Sequence, residues 1–219
     1  MKIFFIRLCT MMLGLFLFSL GIVFTINANI GYSPWDVFHT GLVNTFGFTI
    51  GFFQILVGIL VLIITTLLGE KIGMGTIFNI VFIGIFIDLL FFIDIIPVLN
   101  NFLAGVFILV VGLFLISIGS YFYIKSGFGA GPRDSLMVVL ARKTKIRIGI
   151  CRSTIEFIVT ILGWFLGGMV GLGTVISVVG IGFCIQITFK LLRFDVTQVK
   201  HETILDTISL LSGKRQEKH

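Results

Sequence analysis

Long runs of apolar residues fill most of the chain, and short glycine-rich or polar stretches separate them. Because a helix needs roughly 20 apolar residues to cross a bilayer, these runs predict six transmembrane helices, over residues 8–26, 50–68, 76–96, 102–124, 148–166 and 174–192. A membrane barrel would need strands in which apolar and polar positions alternate. The unbroken runs therefore predict an all-α membrane protein.

Two further stretches, residues 34–46 and 132–144, are too short to span a bilayer. Each begins with a proline, which is favoured in the first turn of a helix. Each also follows a glycine-bearing segment that predicts a turn. We expect both stretches to be short helices that either re-enter the membrane or lie at its surface.

Composition agrees with a lipid environment. Hydrophobic residues make up 57% of the 219-residue chain and charged residues 12%, whereas soluble proteins carry about 25% charged residues. The mean hydropathy is +1.16. The lipid bilayer is therefore the first partner that the sequence predicts, and an association of several copies stays open.

The chain contains an internal repeat without gaps, in which each residue of the first copy is aligned with the residue 98 positions later. Apolar matches are common by chance in a membrane protein, but matched Gly, Pro, Asp and Thr in one register are not. Gly14–Gly21 (GLFLFSLG) matches Gly112–Gly119 (GLFLISIG). Further matches join Gly31, Pro34, Asp36, Gly51, Gly73, Gly75, Thr76 and Gly84 to Gly129, Pro132, Asp134, Gly149, Gly171, Gly173, Thr174 and Gly182.

The repeat divides the chain into a first membrane unit, residues 1–97, a second membrane unit, residues 98–194, and a polar tail, residues 195–219. Each unit holds three predicted spans and one short helix. Because three is odd, the second unit would be inserted upside down relative to the first. Inverted repeats of this kind are frequent in secondary transporters.

Lysine and arginine lie on one side of this predicted topology. The N-terminus, the loops near 69–75 and 125–148, and the tail carry them, whereas the loops near 27–49, 97–101 and 167–173 carry none. The positive-inside rule then places both termini in the cytoplasm. The net charge of +6 is explained by anionic headgroups, so a nucleic-acid partner is not expected.

The paired motif G-x-x-P-x-D is the first candidate site. It occurs as Gly31, Pro34 and Asp36 and again, with Gly131 and Arg133 added, as Gly129, Pro132 and Asp134. Two interpretations stay open: each aspartate caps its own helix, or the two helix starts line a polar cavity that Arg133 shares with an anionic solute.

Other charged residues lie inside predicted spans. Asp88, matched by Gln186 in the second copy, indicates either an ion or proton site or a hydrogen-bonded buried carboxyl. Arg152 and Glu156 share one helix face and can pair, as a structural ion pair or as a pair that faces solute. The repeated Gly-x-Gly-Thr stretches, Gly73–Thr76 and Gly171–Thr174, join the second and third spans of each copy and predict tight turns, with contact to a substrate as the alternative.

No cofactor, metal or enzymatic site is predicted. The chain lacks a zinc-protease H-E-x-x-H motif and a credible Ser-His-Asp set. Cys9, Cys151 and Cys184 lack metal-ligand spacing. The residues favour a small secondary transporter of an unidentified solute or ion, with a membrane accessory protein that acts through a partner as the alternative.

Over about residues 8–192 the chain resembles the bacterial YczE/YyaS/YitT-type integral membrane proteins, with the YczE-like branch as its nearest likeness. The paired glycine, proline and aspartate motifs, Arg133 and the Gly173-Thr174 pair carry this resemblance. It implies a multi-pass protein of the bacterial inner membrane and supplies no substrate.

Overall fold

A computed structural model describes residues 2–94, 96–195, 199, 202–204 and 206–207. This part of the chain is all-α and contains eight helices. They are α1 (Lys2–Asn27), α2 (Pro34–Phe46), α3 (Ile50–Leu67), α4 (Met74–Ile93), α5 (Phe102–Lys125), α6 (Pro132–Thr144), α7 (Ile148–Phe165) and α8 (Leu172–Leu191).

Six helices are long and apolar enough to cross a bilayer, namely α1, α3, α4, α5, α7 and α8. Large apolar side chains cover their outer faces; Phe92, Leu103 and Phe165 are each at least 77% exposed. Exposure on this scale fits contact with lipid tails rather than water. The protein is therefore a multi-pass helical membrane protein, as predicted, and the predicted bounds of α2 and α6 are confirmed.

Helices α1 and α5 cross at the centre through small residues. A Cβ atom added to Gly21 would lie 2.6 Å from the carbonyl oxygen of Gly112, and one added to Gly14 would lie 2.8 Å from that of Gly119. The later glycine of α1 meets the earlier glycine of α5, so the two helices run antiparallel. Close backbone approach of this kind is typical of helix association in lipid, where the hydrophobic effect does not drive helices together and van der Waals packing does.

The connecting segments gather at two opposite ends of the bundle. At one end, Arg7 pairs with Glu202 over 2.7 Å and donates to the carbonyl oxygen of Ser126. Arg142, at the end of α6, pairs with Glu70 at the end of α3 over 2.8 Å. We call this the basic end.

The other end carries the remaining connections. Asn27 donates to the carbonyl oxygen of Ile96 over 2.5 Å, and the N–H of Leu99 donates to the carbonyl oxygen of Asn27 over 2.9 Å. The N–H of Tyr32 donates to the carbonyl oxygen of Met169 over 3.1 Å. We call this the opposite end. The two groups of loops are those that the topology prediction placed on different sides.

Each short helix is preceded by an irregular segment that docks on the other half of the chain. The N–H of Gly173, at the start of α8, donates to the carbonyl oxygen of Ile30; the N–H of Gly75, at the start of α4, donates to that of Phe128. Both bonds are 2.8 Å long. Gly31 and Gly129 follow these carbonyls at φ +117° and +126°, a region that favours glycine because it has no Cβ.

Helices α3 and α4 pack tightly, whereas α7 and α8 make little contact with each other in the described structure. A Cβ added to Gly84 of α4 would lie 2.6 Å from the carbonyl oxygen of Gly51 of α3. The matching residues of the second half, Gly149 and Gly182, have no described atom within 4 Å of their Cβ positions. The two halves therefore differ at this helix pair.

We predict that Gly21→Val destabilises the protein by about 1–3 kcal/mol, because the added side chain overpacks the α1–α5 crossing. The measurement is the midpoint of unfolding in mixed detergent micelles. Gly182→Val is the matched control, since its Cβ position is open. Equal stability of the two variants would contradict the crossing described here.

Candidate functional site

A cavity of about 380 Å³ lies between the two halves. Helices α4, α5, α6, α7 and α8 form most of its wall, and α1, α2 and α3 each contribute one residue. It extends toward the basic end, where α7 and α8 diverge. Its polar and charged lining residues are Gln54, Asn79, Ser120, Tyr123, Arg133, Asp134, Arg152 and Glu156, with Trp35 beside them.

The contact between Arg133 and Trp35 forms the centre of the site. The guanidinium carbon of Arg133 lies 4.6 Å from the centroid of the Trp35 ring, within the range of a cation–π interaction. Arg133 also donates to Oε1 of Gln54 over 2.6 Å. Trp35 and Arg133 stand at matching positions of the repeat, so equivalent residues of the two halves meet here.

Arg152 and Glu156 lie on the α7 side of the cavity and form an ion pair, with Nε 2.8 Å from Oε1. The side chain of Arg152 is 43% exposed and that of Glu156 is 14% exposed. Arg152 matches Gln54 of the first repeat. Gln54 thus contacts Arg133, whereas the equivalent position in the second half is itself an arginine, Arg152.

The start of α6 faces the cavity. Pro132 occupies the first turn, and no side chain of the preceding Gly131 can cap it. A Cβ added to Gly131 would lie 3.5 Å from Oδ2 of Asp134 and 3.7 Å from Nδ2 of Asn79. Arg133 interacts electrostatically with Asp36, Asp134 and Glu156. The site therefore combines a helix N-terminus with closely spaced charges of both signs.

Two buried polar atoms at the cavity lack hydrogen-bond partners among the described residues, the Tyr123 hydroxyl and the Trp35 indole N–H. Tyr123 is 4% exposed and Trp35 is 7% exposed. A buried hydroxyl without a partner costs about 1–3 kcal/mol. Such groups indicate a place that a ligand or water can satisfy.

Asp36 has different surroundings from its counterpart Asp134. It is 2% exposed, it is not among the lining residues of the cavity, and its Oδ2 accepts a short hydrogen bond from the Ser33 hydroxyl. Only the second copy of the motif thus brings its carboxylate to the cavity, although Pro34 and Pro132 begin both helices alike.

Asp88 and Gln186 lie away from this cavity. The Asp88 carboxylate accepts from the N–H of Gly51 over 2.8 Å and from the Thr49 hydroxyl over 2.6 Å, at the start of α3. Gln186 is exposed on α8. Of the two interpretations of Asp88, the structure places this residue in a hydrogen-bonded helix cap.

The Gly-Thr pairs lie in the first turns of α4 and α8 and do not line the cavity. Gly75 and Thr76 bond the segment that leads into α6, since the Thr76 hydroxyl donates to the carbonyl oxygen of Ala130 over 2.7 Å. Gly173 bonds the segment that leads into α2, whereas the Thr174 hydroxyl accepts from the N–H of Gly171 over 3.2 Å, within its own helix start.

Sequence reasoning missed Tyr123 and Asn79. Tyr123 lies near the end of an apolar helix, where aromatic residues commonly mark the lipid–water interface, so its pattern did not point to a site. The pairing of Trp35 with Arg133 in the repeat was a usable signal, because it puts a cation and an aromatic ring at equivalent positions.

Comparison with known proteins places the chain among relatives without an assigned activity. Residues 5–190 match the model of the "Family of unknown function (DUF6198)". The chain is 35% identical over 187 residues to the "Uncharacterized membrane protein YczE" of Bacillus subtilis, covering 84% of this chain and 83% of that protein. It is 31% identical over 171 residues to "Uncharacterized protein YyaS" of Bacillus subtilis, covering 76% and 84%.

A third relative, an "Uncharacterized protein" of Haemophilus influenzae, is 35% identical over 159 residues, which cover 73% of this chain and 72% of that protein. No solved structure matches the chain. These similarities identify the family but do not identify a solute.

We predict that Arg133→Met changes the fluorescence emission of Trp35, because the cation over the ring is removed. The measurement uses a Trp164→Phe background, in which Trp35 is the remaining tryptophan. Arg142→Met is the control, since Arg142 pairs with Glu70 at the basic end and should leave the spectrum unchanged. An identical spectrum in both variants would contradict the stacked geometry.

Proposed function

The chain belongs to the DUF6198 family, and we propose that it is a small secondary transporter that moves a solute through the central cavity by alternating access. In this proposal its two membrane units, 1–97 and 98–194, are inverted repeats. The protein changes the accessibility of the solute and does not transform it chemically. The solute is small, since the cavity holds about 380 Å³.

Two pairs of equivalent contacts support the inverted repeat. Gly14 meets Gly119 as Gly112 meets Gly21, and this reversed order requires opposite directions for α1 and α5. The bond from Gly75 to Phe128 has its counterpart in the bond from Gly173 to Ile30. Each contact is reproduced when the two halves are exchanged, as expected for halves related by a two-fold axis in the membrane plane.

The observation that carries the proposal is the difference between two equivalent helix pairs. Gly51, Gly84 and Asp88 join α3 to α4, and we call this contact the first latch. Gly149, Gly182 and Gln186 hold the same positions on α7 and α8, and we call them the second latch. The first latch is closed, whereas the second is open and its glycines face no described atom within 4 Å.

Alternation follows if the two latches exchange roles. Closing the second latch would bring Gln186 to the start of α7, where its amide oxygen can accept a backbone N–H as Asp88 does at α3. Opening the first latch would then expose the cavity toward the opposite end. Because a carboxylate interacts with a helix N-terminus more favourably than a neutral amide does, the state with a closed first latch is the expected resting state.

In the membrane, we place the basic end in the cytoplasm. Lysine and arginine concentrate there and are absent from the described loops of the opposite end, as the positive-inside rule describes for cytoplasmic loops. Both termini are then cytoplasmic, the membrane is the bacterial inner membrane, and the structure corresponds to the state in which the cavity opens inward.

One observation favours the alternative, an accessory protein that acts through a partner. Residues 202–204 of the tail dock on the basic end: Glu202 accepts from Arg7, its N–H donates to Gly127 over 2.8 Å, and the N–H of Ile204 donates to Ile72 over 3.1 Å. Thr203 donates to Asp206 through its hydroxyl and N–H and lowers the pKa of that carboxyl.

Removal of residues 195–219 should abolish an accessory role and leave the exchange of the latches intact.

We predict that Glu156→Cys/Val178→Cys forms an intramolecular disulfide during mild oxidation in membranes. The pair is equivalent to Gly58 of α3 and Ile80 of α4, where a Cβ on Gly58 would lie 3.4 Å from the Cβ of Ile80. The second latch must close for these thiols to meet. Disulfide formation is read as the loss of thiols that react with a maleimide-linked polyethylene glycol.

The control pair is Glu156→Cys/Val179→Cys, because Val179 is 57% exposed and lies about 100° further around α8 than Val178. All variants are made without Cys9, Cys151 and Cys184. A disulfide in Gly58→Cys/Ile80→Cys but none in Glu156→Cys/Val178→Cys would mean that the second latch does not close, and alternating access would be rejected.

A further inference from the structure

We propose that the solute is a small zwitterion of the amino-acid class, which carries one carboxylate, one ammonium group and an apolar part. This inference rests on the proposed transport function and assigns the solute class to the same cavity. Three properties of the cavity support it: its balance of charge, the position of its hydrogen-bond donors, and the chemistry of the remaining wall.

The charges that line the cavity cancel. Arg133 and Arg152 are opposed by Asp134 and Glu156. A lone anion or a lone cation would bring an uncompensated charge into a site of low dielectric constant, which is costly. A zwitterion adds no net charge and can pair with groups of both signs.

Three groups that line the cavity favour the binding of a carboxylate. The first turn of α6 lies there without a side-chain cap from Gly131, and helix N-termini bind anionic groups through their N–H groups and dipole. Tyr123, which is 4% exposed, lines the same cavity, and its buried hydroxyl has no partner among the described residues. Arg133 adds positive charge from above Trp35.

Glu156 is the group that we assign to the ammonium. It is held by Arg152 through a single hydrogen bond, from Nε to Oε1. Because the Arg152 side chain is 43% exposed, exchanging this partner for a solute ammonium costs little compared with breaking a buried pair. Arg152 can then turn toward the aqueous mouth of the cavity.

The rest of the wall is apolar and suits an aliphatic or aromatic side chain. The apolar lining residues include Ile116, Met137, Ile181, Ile185 and Phe189. The volume of about 380 Å³ is at the lower end of ligand cavities, which span roughly 300–1,000 Å³. A single amino acid fits this size better than a peptide.

The test measures the thermal unfolding midpoint of the purified full-length protein in detergent with each standard amino acid in turn. Each amino acid that raises the midpoint is then compared with its deaminated acid and its decarboxylated amine, for example leucine with 4-methylpentanoate and 3-methylbutylamine. We expect at least one amino acid to bind, and both of its analogues to bind at least about tenfold more weakly, which corresponds to about 1.4 kcal/mol or more.

Two variants assign the contacts. Tyr123→Phe, which removes the unpartnered hydroxyl, should weaken amino-acid binding several-fold, and Glu156→Gln should weaken it while affecting the deaminated acid less. Arg142→Met, outside the cavity, should bind normally. If the acid alone or the amine alone binds as tightly as its amino acid, or if no amino acid binds, the zwitterion proposal is wrong.

Failure of this inference can be distinguished from failure of the transport function. If no amino acid binds but Glu156→Cys/Val178→Cys still forms its disulfide, the cavity alternates and only the solute class is wrong. If amino acids bind and the disulfide never forms, the zwitterion site stands and alternating access fails.

Discussion

The structure depends on one constraint, that buried irregular backbone must find its hydrogen bonds within the protein. The segments before α2 and α6 leave the helical pattern, and their carbonyls at Ile30 and Phe128 accept the N–H groups of Gly173 and Gly75 at the starts of α8 and α4. Each half of the chain thereby satisfies the backbone of the other. This exchange fixes the short helices between the halves and brings the start of α6 to the cavity.

The same exchange explains why the charged groups collect where they do. Once Trp35 and Arg133 begin matching helices, the two halves bring them into contact, and the cation is stabilised by the ring, by Gln54 and by nearby carboxylates. An isolated guanidinium in hydrocarbon would be expensive. The contact that differs between the α3–α4 pair and the α7–α8 pair lies at Gly51, Gly84 and their counterparts, and these residues do not make the exchanged bonds.

Much of this architecture could be predicted from the sequence, because it is encoded in local patterns. Apolar length identified the spans, and proline and glycine spacing gave α2 and α6 at residues 34–46 and 132–144, as the structure has them. The spacing of Arg152 and Glu156 predicted that they can pair.

Other features depend on distant parts of the chain and left no local signal. The polarity of Asp88 was visible in the sequence, but its partners Thr49 and Gly51 belong to another helix. The separation of α7 from α8 is a feature of the tertiary structure, and a repeat in the sequence cannot specify it. Tyr123 had the pattern of an interfacial aromatic residue, and only the fold places its hydroxyl at the cavity.

The inverted arrangement of the two halves is the central claim, and labelling of equivalent loop positions in intact cells tests it most directly. Phe48 and Ile146 occupy matching positions of the repeat, and both are exposed, at 57% and 46%. In a cysteine-free background, a membrane-impermeant thiol reagent should label Phe48→Cys from outside and Ile146→Cys only after the membrane is permeabilised. Labelling of both residues from the same side would contradict the inverted repeat and the transport mechanism built on it.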